Sequence, residues 1–168
     1  MTLIEHLTLV EETRSEINRK HNLVDVMFLV ISAIMSGAEG WNDIETYGDS
    51  KIDWLRQHRP FANGIPRRHT VARILRCIVI DTLLEALLCW VNVRQHWRIE
   101  NSQHYILDVV FNEDASRIAM EDAVENMALF RRFVLNIVKQ SNCGARSQRN
   151  KLKRAGWNDD YRAQLFFG

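Results

Sequence analysis

Proline occurs only twice and glycine seven times in 168 residues, which leaves long stretches with no helix breaker. Within those stretches apolar residues recur every three to four positions, the period of an amphipathic helix rather than a strand. Leu3, Leu7, Val10 and Ile17 fit a first, polar-rich helix with Glu11, Glu12 and Glu16 outward. Leu23–Ser36 is apolar nearly all round, as a central helix is. Gly37 and Gly40 end it and open the segment Trp41–His58, which has a candidate break at Tyr47-Gly48-Asp49 with Asp49 or Ser50 as cap. Residues 60–66, with proline at both ends, form the clearest loop.

Arg67 and Arg68 then open a helix with Val71, Ile74, Leu75 and Ile78 on one face. Asp81 or Thr82 is placed to cap the next helix, whose Leu83, Leu84, Leu87, Leu88 and Val91 are apolar. A polar helical pattern continues from Asn92 through Tyr105, and Leu107–Phe111 suits a brief strand or extended turn. Met120–Val138 reads as another helix burying Ala123, Met127, Phe130, Val134 and Ile137. A short helix before Gly156 and a final one over Asp159–Phe166 complete a chain whose expected class is mainly α.

An apolar share of 46% with 26% charged residues is that of a globular protein with a core, and a net charge of +1 selects no partner class by itself. The distribution of charge says more. Lys139, Arg146, Arg149, Lys151, Lys153 and Arg154 lie in one run without Asp or Glu, either a solvated segment or a nucleic-acid contact. Cys77, Cys89 and Cys143 show no Cys-x-x-Cys spacing; they are expected to be reduced thiols of a cytoplasmic protein, two of them buried on helices. Glu5, Glu11 and Glu12 precede any long apolar run, so no signal-peptide pattern is read, and no membrane partner is expected. Leu23–Met35 is interrupted by Asp25 and falls short of the roughly 20 residues a bilayer span needs.

Two blocks carry a family resemblance. The first, from about Lys20 to Asn92, contains "ISAIMSGAEGWNDIETYG" and "FANGIPRRHTVARIL". The second, from Arg94 to Gln140, contains "HWRIENSQHYILDVVFNEDASR" and "ENMALFRRFVLNIVK". Together they resemble the H-repeat-associated transposases, a branch of the bacterial DDE insertion-sequence enzymes. In that family a strand ending in Ile-Asp-Gly-Lys carries the first catalytic Asp, a further strand the second, and the His-Trp-x-Ile-Glu-Asn helix the third carboxylate. Here "ALLCWVN" runs directly into "VRQHWRIEN", with no Asp-Gly-Lys anywhere. The resemblance implies an internally deleted form joined near Asn92 and Val93, without most of the RNase H-like sheet. The expected organisation is a helical transposase-associated region over 1–92 packed with the C-terminal helices of a catalytic-domain remnant over 93–140, followed by a basic tail over 141–168.

DDE enzymes use two divalent ions to activate the attacking oxygen and stabilise the leaving one, and Mg²⁺ usually needs more than one carboxylate. The resemblance puts Glu100 at the third ligand and leaves the two Asp ligands unmatched, so this chain is expected to be no enzyme and to hold no cofactor. Mg²⁺ is expected only in a full-length member. Asp108, Glu113 and Asp114 read as caps or as partners of Arg117, Arg131 or Arg132. His96, Glu100 and His104 are spaced i, i+4, i+8; the outer pair lies about 12 Å apart along a helix, too far to share one ion. Trp97, Ile99 and Tyr105, like Trp41, Trp54 and Trp90, read as packing residues.

The best local candidate for DNA contact is "NGIPRRHTVARILR", a turn leading into a helix whose start presents Arg67, Arg68, His69 and Thr70, with Arg73 and Arg76 further on. Plain solvated surface is the alternative. In the basic run, Lys151, Lys153 and Arg154 are the candidate phosphate contacts. The expected partners are DNA at transposon ends, a second copy in a homodimer, and a full-length transposase. Three readings follow: a DNA-binding protein without strand transfer, an interaction module that binds or inhibits a transposase, and an enzyme completed by another chain.

Overall fold

The computed structural model describes residues 2–93, 121–141 and 147–167. In chain order these form α1 (Leu3–Leu7), α2 (Leu23–Met35), α3 (Trp41–Arg56), α4 (Arg68–Arg76), α5 (Ile80–Val93), α6 (Glu121–Gln140), α7 (Gln148–Trp157) and α8 (Asp159–Phe167), with one 3-10 turn at Glu16–Asn18. The class is mainly α, and no strand occurs among the described residues.

All thirteen residues of α2 are buried, so it is the axis around which the rest assembles. At about 1.5–3 kcal/mol for each large apolar side chain buried, it is the main source of core stabilisation. Asn22 caps its start, its side-chain oxygen accepting from the N–H groups of Val24 (2.9 Å) and Asp25 (3.3 Å). At its end Ala38 N–H donates to Ala33 O and Gly37 N–H to Ile34 O, a Schellman closure. That closure puts Gly37 at φ 96°, which a side chain would resist. Asp25, the one buried acid among the described residues, is compensated by Arg59 (2.8 Å) and by the N–H of Phe61 (3.0 Å).

Helices α3, α4 and α6 surround α2, and α6 also lies against α5 and α7. The apolar faces read from the sequence are the buried ones: Val71, Ile74, Leu75 and Ile78 around α4, and Ala123, Met127, Phe130, Val134 and Ile137 on α6. Asn126, on the same face of α6, donates to the carbonyls of Leu75 (2.8 Å) and Ile78 (3.5 Å), which ties α6 to the end of α4. The terminal regions therefore pack on each other, without intervening strands among the described residues.

Several local expectations need correction. The first helix stops at Leu7, and Ile17 is 97% exposed. Residues 11–13 instead run extended beside 77–79. Thr13 N–H donates to Cys77 O, Val79 N–H to Glu11 O, and Glu12 forms an antiparallel bridge with Ile78. Pairing with a distant segment outcompeted the local period. Helix α3 departs from helical geometry at Lys51 rather than at Gly48, and α5 begins at Ile80, ahead of both proposed caps. Thr82 instead accepts from Glu11 N–H at 3.0 Å. Leu84 and Leu88 are exposed, as is Cys89, and Cys77 is only half-buried, so neither thiol is the buried one expected. Trp54 and Trp90 are buried and Trp41 partly so. Cys143 and the possible strand over Leu107–Phe111 lie outside the described residues.

Candidate nucleic-acid interface

Helix α4 is fixed by its apolar face and contains no acidic residue. Its opposite face exposes Arg68, His69, Arg73 and Arg76, with Arg67 exposed at the cap position. The start of α4 is held against α3 by charge. Arg67 Nη1 donates to Glu45 Oε1 at 2.8 Å, with Asp49 at 3.9 Å, and the Arg68 N–H donates to Glu45 Oε2 at 2.7 Å. Arg68 also donates through Nη1 to Asn42 (2.7 Å) and through Nε to His69 Nε2 (3.2 Å). The hydrogen bond from Arg67, then that from the Arg68 N–H, keeps the Glu45 carboxyl below the usual carboxylate range. Such exposed pairs are screened by water and salt, so they orient the arginines more than they stabilise the fold.

Gly48 lets the loop over 61–66 come close to α3. A Cβ built there would lie 2.6 Å from Ile65 Cγ2 and 3.1 Å from Leu29 Cδ1. The same loop carries Asn63, whose amide donates to the Lys20 carbonyl. The segment before α2 is thereby tied beside α4: Arg14, Lys20 and His21 line a cleft shared with Arg67, Thr70 and Arg73. The sequence reading singled out the α4 residues and missed Arg14, Lys20, His21 and Asn63. The tripeptide Arg19-Lys20-His21 was a visible basic cluster, but its place beside α4 depends on a tertiary hydrogen bond.

The basic run begins with Lys139 in the last turn of α6 and continues in helix α7, where Leu152 and Ala155 are buried. Lys151 turns inward: Nζ donates to the carbonyls of Val138 and Ser141, capping the end of α6. Arg154 lies over the Tyr161 ring, 4.5 Å from its centroid, and Lys153 is exposed. The three proposed phosphate contacts therefore stand in different settings, and Lys151 is already committed to helix carbonyls.

Glu100, His96 and His104 lie outside the described residues. Among those described, no three of His, Cys, Asp and Glu converge as a metal-holding group. No helix among the described residues is long and apolar enough to cross a membrane.

The chain is 40% identical over 88 residues to "H repeat-associated putative transposase YhhI" of Escherichia coli K12, a match covering 52% of this chain and 23% of that protein. It is also 40% identical over 88 residues to "H repeat-associated putative transposase YbfD" of the same strain, covering 35% of that protein. The matched part is thus about a third or less of the length of these relatives. "Inactive transposase YbfQ", from the same strain, is 42% identical over 73 residues, 44% of this chain and 87% of that protein. No solved structure matches the chain. The family described as DDE_Tnp_1-associated matches residues 4–91, the stretch that holds α1 through most of α5 and the whole basic face of α4. With over half its length matched, the chain belongs to the DDE_Tnp_1-associated family of transposase-related proteins.

Proposed function

We propose that this chain is a transposase-derived DNA-binding protein that does not carry out strand transfer. The observation that supports it best is α4: a helix anchored by three buried apolar side chains, carrying no acid, with Arg67, Arg68 and His69 exposed at its start and Arg73 further along. A rigid helix offering cations and short polar side chains at its N-terminal end suits entry into a major groove. The missing Asp-Gly-Lys segment and the kinship with a protein named an inactive transposase support the lack of chemistry. A mobility-shift comparison of terminal-inverted-repeat and scrambled duplexes tests the binding. The protein should prefer the transposon end, and replacing Arg67 and Arg68 by Ala should erode that preference while leaving weak binding to both. An unchanged preference would remove α4 as the reading element.

A second reading rests on a different feature. Leu84 and Leu88, four residues apart on α5, are 41% and 44% exposed, an apolar ridge of the kind that meets another chain. The partner would be a second copy or a full-length transposase, and this reading takes precedence if the intact protein retards neither duplex at low salt.

A further inference from the structure

The cleft beside α4 draws its cations from two segments of chain more than forty residues apart. Arg14, Lys20 and His21 come from the segment before α2; Arg67, Thr70 and Arg73 come from α4 and its cap, and no carboxylate lines the cleft. The loop between the two segments is held in a costly conformation. Phe61 sits at φ 44°, in the left-handed region a bulky side chain avoids, and is kept there by Asp25, which accepts from its N–H at 3.0 Å. From that loop Asn63 reaches the Lys20 carbonyl, while Arg14 Nη2 donates to the His21 carbonyl at 3.2 Å.

The charges in the cleft are not equivalent. Arg14 is paired with Glu12 and is only 7% exposed, and Arg67 is paired with Glu45. Lys20 and Arg73 are exposed and have no acidic partner among the described residues. His21 stands among these charges. Burial first, then the charge of Lys20, pushes its imidazole below the ordinary value, with Arg14 adding to this and the Gly64 carbonyl and Asp25 opposing it. Of the four lysine and arginine side chains that line the cleft, Lys20 and Arg73 are thus the two left to meet an anion.

We propose that this cleft is a phosphate-binding site, with Lys20 and Arg73 supplying the charge and Thr70 and His21 the short-range hydrogen bonds. For its ligand the proposal rests on the DNA reading, the phosphate being one of the duplex backbone beside the groove that α4 enters. Free inorganic phosphate has the same chemistry, and the experiment separates the two. The site would position the protein on the duplex without reading sequence.

The test uses the full chain and two readouts. His21 ring signals, assigned with a His21→Gln variant, are titrated against pH alone, with inorganic phosphate and with a transposon-end duplex. An anion seated in the cleft favours the imidazolium, so the His21 midpoint should move up on binding. In parallel, duplex affinity is followed against salt for the wild type and a Lys20→Ala, Arg73→Ala double variant, whose fold is checked by thermal melting. The variant should weaken binding to end and scrambled duplexes alike and flatten the log–log salt slope by about two. A His21 midpoint raised by the duplex and a flattened slope establish the backbone site. A midpoint raised by inorganic phosphate, with no duplex bound, keeps the cleft as a phosphate site while the DNA reading fails. Duplex binding by the wild type with an unmoved His21 midpoint and an unchanged slope in the double variant overturns the cleft and leaves the DNA reading standing.

Discussion

Glu45 accepts from the Arg67 guanidinium and from the Arg68 N–H at the same time, so a phosphate approaching the start of α4 must compete with a carboxylate already in place. Because Arg67 and then the Arg68 N–H hold that carboxyl below the usual range, it is anionic at neutral pH. Replacing Glu45 by Gln keeps its size and removes its charge. Fluorescence anisotropy at fixed salt should then show tighter binding to every duplex, with end-over-random preference little changed. Unaltered or weaker binding would mean that Arg67 does not meet DNA. At this scale the sequence was half legible. Arg67, Arg68 and Arg73 announced themselves by type and spacing, whereas Glu45 lies more than twenty residues upstream and nothing local pairs it with them. Lys151 shows the same limit. Its neighbours make it one of a basic run, but only the fold reveals that it caps α6.

Helices with long, one-sided apolar patterns were legible at the scale of the element. The buried faces of α4 and α6 and the all-round burial of α2 follow from spacing alone, because burial of apolar area decides them. What failed was the choice between a weak local helix and a distant backbone partner, as at residues 11–13 beside 77–79. The docking of α8 was equally hidden. Arg162 is fully buried, donates to Ala155 O at 2.7 Å and Ser36 Oγ at 3.2 Å, is paired with Asp159 and lies 4.1 Å from the Trp54 ring centroid. His58 of the residues just after α3 stacks on Phe167 of α8, with 4.8 Å between ring centroids. Burial, then the Arg162 charge, pushes the His58 imidazole below its ordinary value. A depressed folded-state pKa contributes stability that is present above the unfolded value, about 6.5, and is lost as pH falls through the folded one. Thermal unfolding followed from pH 7.5 to 5 should therefore show a falling midpoint. A His58→Phe variant should lose less over that range, with His21 accounting for part of the remainder. An identical decline in the variant would separate His58 from the effect.

For the whole molecule, α6 lies against α2, α4 and α5, and α7 and α8 complete the packing on α2 and α6, so the C-terminal helices finish a core that the family-matched region begins. The family resemblance supplied the identity of that region and the expectation that the two ends pack on each other, and the periodicity its class; the individual contacts, such as Asn126 on the Leu75 carbonyl, come only from the fold. The proposed reading is a DNA-binding family member in which two of the three carboxylates that the resemblance implies have no match. The most direct measurement is a single incubation of end-labelled transposon-end duplex with the intact protein and Mg²⁺ or Mn²⁺, split between native and denaturing gels. The account predicts a retarded complex on the native gel and an intact strand on the denaturing one, both unchanged in a Glu100→Ala variant. Nicked or joined strands that disappear in the Glu100→Ala variant would contradict it, as would a duplex that runs free at low salt.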